Sequence, residues 1–98
     1  MIVINAHVVP ELRRRHRPAQ QQLLTWLGIA QGVSWRNTAD VRGTFRRASV
    51  LNRERVVFDI GDHRLIVAVN YTAGLVDIKF FGTHAEYDRV DARTVSRY

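Results

Sequence analysis

The chain has 98 residues, 46% of them hydrophobic, and no cysteine. This is enough for one modest core over residues 1–98, and it excludes disulfides and thiolate metal sites. Fifteen Lys+Arg against nine Asp+Glu give a net charge of +6, and all but one of the fifteen are arginine, a balance that suits a polyanion because guanidinium forks grip phosphate and release its counterions.

The opening Met1-Ile2-Val3-Ile4 alternates weakly and reads as a first strand to about residue 6. It is too short for a signal-peptide core and lacks the basic residues that precede one. No apolar run approaches the roughly 18 residues of a membrane span. The expected compartment is the cytoplasm, with no membrane partner.

Residues 8–32 carry helical periodicity. A short helix is expected over Pro10–His16, with Leu12 as its main apolar residue. Pro18 suits the first turn of a second helix, where its missing N–H costs nothing. Leu23, Leu27 and Ala30 then follow at i, i+4, i+7, Leu24 and Trp26 widen the stripe, and Gly32 is the stop. Thr38 is expected to cap another short helix, with Asp40 in its first turn and Val41, Phe45 and Ala48 on its apolar side.

From about residue 55 the period becomes two. Val56, Phe58 and Ile60 alternate with Arg55, Val57 and Asp59. Gly61-Asp62 reads as a two-residue hairpin turn. Leu65, Val67 and Val69 follow, then a turn over Tyr71–Gly74, then Val76, Ile78 and Phe80. The turns imply Phe58 opposite Leu65, Val56 opposite Val67, Val67 opposite Ile78 and Leu65 opposite Phe80, all on one core face. The other face would carry Arg55, Val57, Asp59, Arg64, Ile66, Ala68, Asp77, Lys79 and Phe81. With the helices on the core side, this face is left open, a rigid platform for an RNA strand or merely a solvated surface with an Asp59–Arg64 ion pair.

Gly82-Thr83-His84-Ala85-Glu86-Tyr87-Asp88 closes the pattern. Thr83 and Glu86 have the spacing of a capping box at a helix start. His84 then lies in the first turn, with Tyr87 three residues on and on the same side. A histidine there could receive a proton near neutral pH or hold a phosphate oxygen. Both side chains could equally pack the last helix against the sheet.

Together, Val56–Ile60, Arg64–Val67, Val69–Tyr71 and Ile78–Asp88 resemble the HigB toxin family of the RelE superfamily. Leu23–Trp26, Trp35–Asn37 and Ala39–Arg42 fit its order and spacing, so the likeness covers about residues 16–94. The most specific part is Gly-Thr-His-x-Glu-Tyr-Asp. The chain departs at the Gly61-Asp62-His63 hairpin, about two residues shorter than usual, which leaves open whether His63 takes the place of the aromatic that commonly precedes Arg64.

The resemblance implies an α+β fold in which an N-terminal strand and helices pack on one face of a mainly antiparallel sheet, followed by a short C-terminal helix. It also implies the toxin of a type II toxin–antitoxin system. Such a protein is an endoribonuclease that cuts messenger RNA, commonly on the ribosome, and is held inactive by a helix-turn-helix antitoxin of the HigA kind.

On that reading Arg64 and Lys79 stabilise the scissile phosphate, His84 accepts a proton, and Tyr87 orients or stacks on the substrate. Arg47, Arg53 and Arg55 are further RNA contacts. No cofactor is expected. The histidines at 7, 16, 63 and 84 show no i, i+3 or i, i+4 pairing, so no metal site is expected and a metal-dependent nuclease is disfavoured. The remaining alternatives are a non-catalytic RNA- or ribosome-binding module and a purely structural interaction protein.

Overall fold

A computed structural model describes residues 1–98. The chain runs β1 (Ile2–Ile4), α1 (Val9–Arg15), α2 (Gln20–Gly32), α3 (Thr38–Thr44), β2 (Ser49–Val50), β3 (Arg55–Ile60), β4 (His63–Asn70), β5 (Leu75–Thr83) and α4 (His84–Tyr87), with single 3₁₀ turns at Ala6–Val8 and Arg17–Ala19. The strands form one sheet in the order β1-β5-β4-β3-β2. Only the β1–β5 pairing is parallel. This is the expected α+β architecture, and no helix is long and apolar enough to cross a membrane.

The helices cover one face. α2 buries Leu23, Trp26 and Ala30, so its stripe runs i, i+3, i+7 through Trp26, while Leu24 is exposed. An indole buries far more apolar area than the neighbouring leucines, and the helix turns to seat it. Trp26 and Trp35 meet Phe58 of β3 at ring separations of 5.5 and 6.1 Å. α3 is capped by Asn37 rather than Thr38, since the Asn37 side chain accepts the Asp40 N–H at 2.9 Å. The helix ends at Thr44, and the chain continues into the two-residue β2, which the sequence pattern did not signal.

The β3–β4 hairpin has the register its turn implied: Phe58 faces Leu65, Val56 faces Val67, and Asp59 faces Arg64. Gly61, at φ 59°, supplies the left-handed turn residue. In β4–β5, Val67 faces Ile78 as expected, but Leu65 faces Phe81, and Phe80 faces Ile66. The ladder shifts between Ile66 and Val67, which leaves Lys79 as the extra residue of a β-bulge. One inserted residue flips every later side chain to the other face. Phe81 therefore joins the main core and Phe80 turns away from it, the reverse of the sequence expectation.

The second face is not open either. Val57, Ile66 and Phe80 form a small buried cluster beneath Leu51, Tyr87, Val90, Ala92 and Val95. The segment after α4, residues 88–98, crosses this face as an irregular strap. Strict alternation had predicted an open platform of mixed charge; the bulge exchanges Phe81 for Phe80 on it, and Val57, Ile66 and Phe80 together are apolar enough to need cover.

Candidate functional site

At the end of the sheet formed by the β3–β4 turn and the β5–α4 junction, Arg47, Asp59, Gly61, Asp62, Arg64 and His84 line an open cleft with no apolar wall. Arg64 lies on β4 opposite Gly82. Its Nε is 3.2 Å from Asp59 Oδ1, and its Nη1 donates to the His63 carbonyl at 3.0 Å. A guanidinium has five N–H groups, so this aims the fork and leaves donors free. The ion pair offered as the bland explanation of Arg64 is thus present, and it also serves to orient the side chain.

His84 is carried by α4, a single turn whose capping box is complete. Thr83 N–H donates to Glu86 Oε1 at 2.9 Å, and Glu86 N–H donates to Thr83 Oγ1 at 3.2 Å. The hydrogen bond from the Thr83 N–H, chief among the causes, holds the Glu86 carboxyl below its usual pKa. His84 is exposed, its Nε2 3.7 Å from Asp88 Oδ2, and its ring stacks beside Tyr87 at 6.2 Å between centroids. The i, i+4 spacing of His84 and Asp88 was readable in the sequence as a same-side pair, yet only the site gives it meaning.

Behind the cleft lies a feature that sequence spacing could not signal. His16, at the end of α1, and His63, the first residue of β4, are both buried, and His63 Nε2 lies 3.1 Å from His16 Nδ1. His63 stacks on Phe81 at 5.3 Å, as an aromatic at that position would. His63 Nδ1 is buried without a partner. A bare lone pair there costs less than a stranded N–H, so we assign the shared proton to His63 Nε2. Burial is the main cause holding both imidazoles below the usual histidine pKa.

Arg64, His84 and Arg47 therefore gather at the β3–β4 turn, while Tyr87, beside His84, lines a neighbouring groove with Leu51, Asp88 and Val90. Lys79 does not join them: its ammonium pairs with Asp77 Oδ2 at 2.8 Å and donates to Ser96 Oγ at 3.4 Å. The Arg55 guanidinium donates to the Val95 carbonyl at 2.6 Å. Arg53 lines a separate groove at the opposite end of the sheet, with Arg36, Asn70 and Tyr71.

Residues 19–90 match the model of the HigB toxin family, the RelE-like toxic component of a toxin–antitoxin system. The chain belongs to that family. The match spans every residue of the cleft, from Arg47 to His84, and stops short of most of the strap. No curated protein matches the chain. The protein is thus the toxin of a toxin–antitoxin system, and an antitoxin is its partner.

Proposed function

We propose that the toxin is an endoribonuclease that cleaves messenger RNA on translating ribosomes in the cytoplasm, and that a helix-turn-helix antitoxin of the HigA kind restrains it. The observation that carries this reading is the meeting of Arg64 and His84 across one polar cleft, with Arg47 beside them. A phosphodiester placed there has an oriented guanidinium for its oxygens and an exposed imidazole next to its sugar. Tyr87, stacked beside His84, is placed to hold the ring or a base.

The chemistry follows from what these groups can supply. No three His, Asp or Glu side chains converge in a way that could hold a metal ion. The nucleophile nearest to hand is the RNA's own 2′-hydroxyl, already tethered beside phosphorus. His84 takes its proton as the 2′ oxygen bonds to phosphorus. Arg64 and Arg47 offset the added negative charge on the phosphate. The bond to the 5′ oxygen breaks, and that oxygen leaves as a hydroxyl with a proton from solvent.

The products are a 2′,3′-cyclic phosphate, or the 3′-phosphate from its hydrolysis, and a 5′-hydroxyl. End-group analysis of RNA cut in excess EDTA tests this. Naked RNA is the substrate, or a ribosome complex shown to survive chelation. RNA methylated at the 2′ oxygen of the cut site should resist. Products bearing a 5′-phosphate, or activity restored only by magnesium on an intact substrate complex, would overturn the mechanism.

A further inference from the structure

The strap over residues 88–98 is held by groups that sequence reasoning assigned to RNA. The bulge at Lys79 takes its carbonyl out of the β4–β5 ladder, and the Arg97 N–H donates to it at 2.9 Å. Asp91 organises the turn before it, accepting from Thr94 N–H at 3.1 Å and Val95 N–H at 2.8 Å through its carbonyl. That turn presents the Ala92 and Val95 carbonyls to Arg55, whose Nη1 lies 3.5 and 2.6 Å away. The Arg97 guanidinium sits 5.4 Å above the Phe80 ring. Tyr87 of α4 packs in the same apolar cluster as Val90 and Val95, so the strap and α4 share one footing.

We propose that Arg55 is a positioning residue: it clamps the strap, and the strap fixes α4 with His84 and Tyr87, while RNA is confined to the rim cleft. The Arg55 Nη1 is engaged with two carbonyls that no regular structure satisfies, which turns the guanidinium toward the strap and away from the rim cleft. Lys79 acts alongside it, its ammonium held by Asp77 and Ser96 and its carbonyl by Arg97. The sheet face is therefore a wall behind the site. The statement about RNA rests on the ribonuclease reading above, but the clamp does not.

The test compares Arg55→Ala with Arg47→Ala in the full chain, using a short single-stranded RNA oligonucleotide as probe. In Arg55→Ala the Arg97 amide should exchange with solvent about tenfold faster or more, the loss expected for a hydrogen-bonded charged anchor. The His84 imidazole NMR signals should move, and kcat should fall with KM little changed. The salt dependence of binding should keep its slope. In Arg47→Ala the log–log slope should shrink by about 0.7, one phosphate's worth, with Arg97 exchange unaltered.

Should Arg55→Ala not fold, Arg55→citrulline decides the matter, because it removes the charge yet keeps the Nε–H and one terminal NH2 that can donate to the two strap carbonyls. It should keep the wild-type salt slope, with Arg97 exchange raised less than in Arg55→Ala, since neutral donors hold the carbonyls more weakly. A slope reduced by about 0.7 in either Arg55 variant would overturn the proposal. Unchanged Arg97 exchange and His84 signals in a folded Arg55→Ala would do so equally. If the wild-type toxin neither binds nor cuts RNA, the ribonuclease reading falls, while exchange and the His84 signals still decide the clamp.

Discussion

Gly82 shows how narrowly single residues are constrained at the site. It pairs with Arg64 across the ladder. A Cβ added there would lie 2.8 Å from Phe80 Cζ and 3.1 Å from Glu86 Oε1. The ring is buried under the strap and the carboxylate is fixed in the capping box, so neither gives way cheaply. Gly82→Ala should cost about 1–3 kcal/mol, the usual range for overpacking. It should also loosen α4, since the clash falls on its cap. Urea denaturation gives the first value, and a Gly82→Ala protein as stable as wild type would contradict it. In the sequence, this glycine read only as the first residue of the Gly-Thr-His-x-Glu-Tyr-Asp run, with no sign of the contacts that require it.

The buried His16–His63 pair couples α1 to the start of β4. It lies among Glu86, Asp62 and Arg15: the carboxylates favour protonation, while burial, which dominates, and Arg15 oppose it. Both folded-state pKa values fall below the 6.5 of a free histidine, so the unfolded chain binds protons more tightly. Stability is then complete above about pH 6.5 and declines as the pH drops below it. Glu86, lowered from 4.5, adds a second loss in the same direction below its own unfolded value.

The urea midpoint should therefore be lower at about pH 5.5 than at about pH 7.5. The double substitution His16→Leu with His63→Phe should flatten that difference. Equal wild-type midpoints at the two pH values would refute the assignment.

At the scale of the whole molecule, a toxin with a net charge of +6 meets its antitoxin, and on the proposed reading RNA, through what its fold leaves exposed. Expression without a partner should arrest growth, and His84→Ala or Arg64→Ala should relieve the arrest. A positioned proton acceptor or charge stabiliser contributes roughly 10²-fold or more, enough to read as survival. Circular dichroism must show that both variants fold, because Arg64→Ala leaves Asp59 without its partner 3.2 Å away. Full toxicity in both folded variants would remove the cleft from consideration.

Much of this was legible in the residues themselves. Alternation and the Gly61-Asp62 turn determined the β3–β4 hairpin to the residue, because a two-residue turn admits one register and a slip would bury charge. Thr83 and Glu86 determined where α4 begins, since capping is a local exchange of hydrogen bonds. The run from Gly82 to Asp88, set against the family's pattern, pointed to His84 and Tyr87. Tertiary structure alone decided the bulge at Lys79, which turns on how β5 packs between two neighbours and not on its own periodicity. From that one inserted residue follows the exchange of Phe80 and Phe81, and the strap that covers the second face was equally outside any local pattern. The His16–His63 contact, 47 residues apart in the chain, was likewise beyond any local pattern, because only the packing of α1 against the sheet brings the two rings together.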